Sequence, residues 1–127
     1  MILIDTSAWI DFFRGDGPLA DQVAEYLTSN QALLCEPVLT ELHRGLSVEA
    51  QQKQVFDLLQ GCRTLPQPDN LWLEAGVLGT LLRKKGVSAK TLDLLIAHYA
   101  LSHGVALLTG DRDFFYMHAA GLPLHLA

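Results

Sequence analysis

Short runs of consecutive apolar residues alternate along this chain with longer segments of helical period. Ile2, Leu3 and Ile4 form the first run, and Asp5, Thr6 and Ser7 follow it. A β-branched apolar run closed by good helix-capping residues predicts a buried strand that leads into a helix. Residues 15–18, Gly-Asp-Gly-Pro, predict a loop, with Pro18 in the first turn of a second helix carrying Val23, Tyr26 and Leu27. Residues 32–35 predict a second buried strand. Pro37 opens a helix over 37–46, with Val38, Leu39, Leu42 and Leu46 at helical spacing and Gly45 near its end. Another helix over 48–59 stops at Gly61. Residues 63–65 predict a third short strand and 66–70 a turn and cap. A long helix then runs to about Lys85, before Gly86. Thr91 is the expected cap of a helix that runs to His103 and stops at Gly104. Residues 105–108 predict the fourth strand and 122–126 a fifth.

Strands that read as unbroken apolar runs, each separated from the next by helices, are the pattern of a mostly parallel sheet covered by helices. The fold class is therefore α/β. A chain of 127 residues with no repeat, linker or low-complexity tract reads as one domain, 1–127.

Composition narrows this picture. With 50% hydrophobic and 18% charged residues the chain has enough apolar side chains for its own core, which excludes a disordered chain. Two cysteines far apart and five scattered histidines make neither a disulfide framework nor a zinc cage. The apolar N-terminus has no basic residue ahead of Asp5 and does not read as a signal peptide. No apolar run approaches the roughly 20 residues of a membrane span. A cytoplasmic protein without a membrane partner is the expectation. Lys and Arg number 9 against 14 Asp and Glu, a formal net charge of −5, which argues against a broad basic face for nucleic acid.

The acids are not evenly placed. Parallel α/β sheets carry their sites at the carboxyl ends of strands. Asp5 ends the first strand, and Asp111 lies just past the fourth. Either one alone is explained equally well as a helix cap. Asp93 is harder to explain that way, because its helix is apolar nearly all round and a carboxylate there loses solvation. Glu41 lies between Val38 and Gly45 on one line of its helix, bordering the apolar stripe; a surface glutamate is the plain alternative. If the four converge, their repulsion calls for a hard divalent cation. All-oxygen ligands suit Mg²⁺ or Mn²⁺, and such centres perform phosphoryl chemistry.

Four segments in order resemble the motifs of the PIN-domain family: residues 2–7, Ile-Leu-Ile-Asp-Thr-Ser; 37–42, Pro-Val-Leu-Thr-Glu-Leu; 91–97, Thr-Leu-Asp-Leu-Leu-Ile-Ala; and 107–114, Leu-Leu-Thr-Gly-Asp-Arg-Asp-Phe. The likeness covers the whole chain, and its size is similar to that of VapC toxins of toxin–antitoxin pairs. The resemblance implies a three-layer α/β/α sandwich with a central, mostly parallel five-stranded sheet. It implies a metal-dependent endoribonuclease in which a metal-activated water attacks the RNA phosphate and leaves 5′-phosphate and 3′-hydroxyl ends. It also implies a homodimer and a small VapB-like antitoxin that occupies the active-site groove. Asp5, Glu41, Asp93 and Asp111 fall on the family's four acidic positions and would hold Mg²⁺ or Mn²⁺. Thr6, Thr109 and Asp113 match supporting positions beside them.

Arg14, Arg44, Arg112 and the Arg83, Lys84, Lys85 and Lys90 group are candidates to hold the RNA backbone, though for any one of them a solvated or helix-end cation is the plainer reading. Trp9, Phe12 and Phe13 fit packing better than base stacking. Two alternatives remain: a Mg²⁺-dependent aspartyl phosphotransfer or phosphatase domain, and a non-catalytic binding module of the same fold. The first lacks its own marks. No Asp stands two residues after Asp5, and no Lys follows Lys90. Setting four acids aside leaves ten against 9 bases, so the net charge no longer opposes an RNA substrate.

Overall fold

The computed structural model describes residues 1–45 and 49–127. Its elements in chain order are β1 (Ile2–Ile4), α1 (Thr6–Arg14), α2 (Ala20–Thr28), β2 (Ala32–Leu34), α3 (Glu36–Gly45), α4 (Glu49–Gln60), β3 (Arg63–Thr64), α5 (Leu71–Lys84), α6 (Thr91–His103), β4 (Ala106–Leu108) and α7 (Arg112–Ala119). The expected helix ends at Leu46 and Val48 lie outside the described residues. No described helix is long and apolar enough to cross a membrane.

The strands pair in the order β3-β2-β1-β4, all parallel. Apolar side chains on both faces of β1 and β2 are buried, which explains their unbroken apolar sequences. Chain order runs outward from β1 to β2 and β3, then returns to the other side of β1 for β4. The crossover direction therefore reverses between β1 and β4, and a crevice opens at their carboxyl ends.

The expected fifth strand is not a strand. Leu126 forms an isolated parallel bridge with Leu107, through Leu107 N to His125 O at 2.8 Å and Ala127 N to Leu107 O at 2.9 Å. Ahead of it the chain turns on itself, with Leu124 N bonding Leu122 O at 2.7 Å, and Pro123 has no N–H to give a ladder. Among the described residues the sheet therefore has four strands, flanked by helices.

Helix α6 is the central helix of the core. Leu94, Leu95, Ile96, Ala97, Tyr99 and Ala100 are all buried, as its apolar circumference requires. It packs along α5, where a Cβ on Gly79 would stand 2.9 Å from Leu94 Cδ1, so the glycine lets the two helices approach. Thr91 is the first helical residue rather than the cap. Lys90 holds the cap position without a side-chain bond, and its carbonyl takes Leu94 N at 3.0 Å. The backbone carbonyl there starts the helix unaided. Trp9, Phe12 and Phe13 pack as the sequence suggested: Trp9 is fully buried and stacks on Phe13 at 5.8 Å between ring centroids.

Candidate active site

Because β1 and β4 are neighbours, their carboxyl ends set Asp5 and Asp111 side by side. Asp5 N extends the ladder by one bond, to Leu108 O at 2.9 Å. The Asp5 carboxylate caps α1 and is buried. Ser7 Oγ donates to its Oδ2 at 2.8 Å, and Thr109 Oγ1 donates to the same oxygen at 2.9 Å. Each hydroxyl has one proton, so both are committed. The lone pairs of the two hydroxyls take backbone N–H groups from the β4–α7 loop: Gly110 N donates to Ser7 Oγ at 3.0 Å and Asp111 N to Thr109 Oγ1 at 3.0 Å. Asp5 is thus gripped by Oδ2, and none of these bonds uses Oδ1. Burial raises the Asp5 pKa, and the bonds from Ser7 and Thr109 oppose that rise.

Asp111 caps α7, its Oδ1 accepting Asp113 N at 2.9 Å. Asp93 lies in the first turn of α6, is 7% exposed, and its buried Oδ2 has no hydrogen-bond partner. One oxygen from each of Asp93, Asp111 and Asp113 lies within 4.8 Å of the others. The Asp93 pKa is pushed up to about 7, first by burial and then by the charges of Asp111, Asp5, Asp113 and Glu41. Four other acids, from the end of β1, α3 and the β4–α7 junction, therefore act on one carboxylate. Glu41 Oε1 is held by Thr6 Oγ1 at 2.8 Å. Together with Arg14 and Gly45, Glu41 lines a cavity of about 560 Å³ whose other walls include Phe13, Leu42 and Val55.

The family model of the PIN domain matches residues 2–119. The chain belongs to the PIN-domain family. Among proteins similar to it, the VapC ribonuclease Mb1587 of Mycobacterium bovis and the ribonuclease VapC11 of Mycobacterium tuberculosis are each 32% identical over 119 residues, 90% of this chain and 89% of theirs. The crystal structure of VapBC2 from Rickettsia felis, bound to a DNA fragment from their promoter, shares the fold with a TM-score of 0.79 at 22% identity, covering 100% of this chain and 98% of that one.

Within this PIN-domain crevice the cluster differs in emphasis from the sequence reading. Asp113 stands with Asp93 and Asp111 in the closest carboxylate group, whereas Asp5 and Glu41 border it. Ser7 was missed by sequence reasoning. The available signal was its place two residues after a strand-end aspartate, where hydroxyls bond back to the preceding side chain. Among the basic candidates, Arg14 borders the Glu41 cavity, and Arg112 is exposed between Asp111 and Asp113. Lys85 Nζ donates to Ala120 O at 3.0 Å and ties the end of α5 to the end of α7. Arg44, Arg83, Lys84 and Lys90 are exposed. The Cys35 thiol is pushed up to about 12, by burial first and also by Asp5, Glu41 and Glu36, so it stays protonated and inert.

The donor set fits a metal. An unpartnered buried carboxylate oxygen amid four other acids is a cost that a cation relieves, and an all-carboxylate set suits a hard divalent ion.

Proposed function

We propose that this PIN-domain chain is a Mg²⁺- or Mn²⁺-dependent endoribonuclease, the toxin of a toxin–antitoxin pair. The observation that carries the reading is Asp93: its Oδ2 is buried and unpartnered, and its oxygens stand with those of Asp111 and Asp113. The names of its mycobacterial relatives support RNA as the substrate. Asp93, Asp111 and Asp113, with Asp5 and Glu41 at the edge, are the residues that would hold the ion. When bound, the ion supplies charge neutralisation for the approaching phosphodiester and an activated water for attack.

The chain's own groups prepare that step. Ser7 and Thr109 fix the orientation of Asp5, and Thr6 fixes Glu41. The Asp111 carboxylate is oriented by the Asp113 N–H. Without metal Asp93, pushed up to about 7, is only partly ionised near neutrality, and a bound ion would favour its charged form. Arg112, between Asp111 and Asp113 in sequence, and Arg14, on the wall of the Glu41 cavity, would hold backbone phosphates of an RNA strand.

The VapBC complexes among its structural neighbours support a VapB-like antitoxin partner, and the Glu41–Arg14 cavity is the space beside the acids that such a segment would fill. A homodimer is part of the reading. Trp72, Leu73, Val77 and Leu81 give α5 an exposed apolar face suited to a second copy. A cytoplasmic location accompanies an RNA substrate and two free thiols.

The test is direct. The purified chain should cut a single-stranded RNA in Mg²⁺ or Mn²⁺ and stop in EDTA, and Asp93→Asn should be inactive while folded. Metal-independent cutting, or full activity in that variant, overturns the reading. A folded chain that binds RNA and never cuts it would favour the binding-module alternative.

A further inference from the structure

We infer that the outer face of α7 is a stacking platform for unpaired bases of the RNA strand next to the scissile phosphate. The inference rests on the ribonuclease reading and names how that site takes its substrate. Helix α7 buries Phe114 and Met117 but leaves Phe115 and Tyr116 45% and 54% exposed. Two large aromatic rings in water on an eight-residue helix are not needed for its packing, since the inner face already anchors it.

Their position relates them to the acids. Asp111 caps this helix, Arg112 is its first residue, and Asp113 belongs to the carboxylate cluster. At roughly 100° per residue, Tyr116 projects about 40° from Arg112 on one side and about 60° from Asp113 on the other. It lies about 4.5 Å further along the axis than Asp113. Phe115 flanks Arg112 on the opposite side, at about 60°. A phosphate held at Arg112 beside the cluster therefore has an aromatic ring on either flank, one turn on.

The charge of the strip favours a nucleic-acid occupant over an apolar protein face. Apart from Asp113, which faces the cluster, α7 carries no acid. Arg112 stands at its start, and Lys85 Nζ is bonded to Ala120 O just beyond its end. Cations at both ends with exposed rings between them form a groove-like pattern for single strands, in which cations follow the backbone and rings stack on any base. Through Tyr116 the platform is continuous with the acid cluster by one helix turn, and Phe115, about 160° round the helix from Asp113, extends it past Arg112 and away from the cluster. Rings that stack on bases need unpaired bases, so the strip would select single-stranded or looped RNA over duplex.

Fluorescence anisotropy of a short labelled single-stranded RNA, measured in EDTA with the full chain, tests this. Tyr116→Ala and Phe115→Ala are each expected to weaken binding by about five- to tenfold. Tyr116→Phe, which keeps the ring, should bind as the parent does. An abasic strand should show no difference between parent and variants, and a duplex none either. Parent-like binding of the base-bearing strand by both alanine variants overturns the platform, and so does an equal loss on the abasic strand. Conversion of a dimer to a monomer in light scattering by the double alanine variant also overturns it, because the strip would then be a contact between copies. A parent chain that neither binds RNA in EDTA nor cuts it in Mg²⁺ or Mn²⁺ fails the ribonuclease reading itself. A parent that binds and cuts RNA, with variants unchanged, fails the platform alone.

Discussion

The Thr109 hydroxyl donates to Asp5 Oδ2 at 2.9 Å across 104 positions of sequence, inside the protein and away from solvent. Thr109 Oγ1 in turn accepts Asp111 N, so one hydroxyl orients one acid and sets the backbone of another. Thr109→Val removes both bonds while keeping the shape. It should cost about 1–3 kcal/mol of stability and most of the RNA cleavage, whereas Thr109→Ser should retain both. Thermal melts paired with cleavage assays decide this; a valine variant with parent-like activity would detach Thr109 from the site.

Ser7 repeats the pattern from the other side, donating to Asp5 and accepting from Gly110. Ser7→Ala is expected to lower Mn²⁺ affinity several-fold, measured by calorimetry without RNA, and Ser7→Thr to keep it. Amide exchange at Gly110 should quicken in the alanine variant, because its N–H loses its acceptor. Faster exchange with unchanged Mn²⁺ affinity would reduce Ser7 to a purely structural bond.

The charge of Asp93 is a burden to the metal-free protein. Asp93→Asn keeps a polar amide in place and removes the repulsion from Asp111, Asp5, Asp113 and Glu41. The variant should be more stable than the parent in EDTA above pH 7, by on the order of 2 kcal/mol, while losing activity. A lower melting temperature of the variant under those conditions would contradict the clustering of acids around Asp93.

The same residue sets a pH dependence. Folded, Asp93 titrates at about 7; its ordinary value is 3.8. Between the two, the unfolded chain has released this proton and the folded chain retains it, so its contribution to metal-free stability is full below about pH 4 and falls as pH rises to about 7. Denaturation in EDTA across that range should show the decline. Mg²⁺ should offset it at the upper end, because an ion that binds only the folded state stabilises it by mass action. A clearly shallower decline in Asp93→Asn identifies its share, the remainder including Asp5, whose pKa burial also raises.

The chain's local chemistry made much of this protein legible in advance. Ile2–Ile4 and Ala32–Leu34 read as buried parallel strands because both of their faces are covered, and α6 read as buried because it has no polar side. Asp93 stood out for the same reason, since a carboxylate in such a helix is costly without a purpose. The segment ending at Leu126 read as a strand from composition alone, but pairing depends on backbone direction, and the turn at Leu122–Leu124 with Pro123 leaves one bridge. Tertiary structure alone decided which acids meet. Asp113 follows Asp111 by two residues, and nothing in that spacing shows that α6 delivers Asp93 to the same point. It also decided that Ser7 and Thr109 share one carboxylate oxygen, because hydroxyl partnerships across 102 positions exist only once β1 and β4 lie side by side. Hydrophobic period is written along the chain, so it determines strands and helices; convergence of charge depends on the order in which strands are wound, and only the folded sheet sets that.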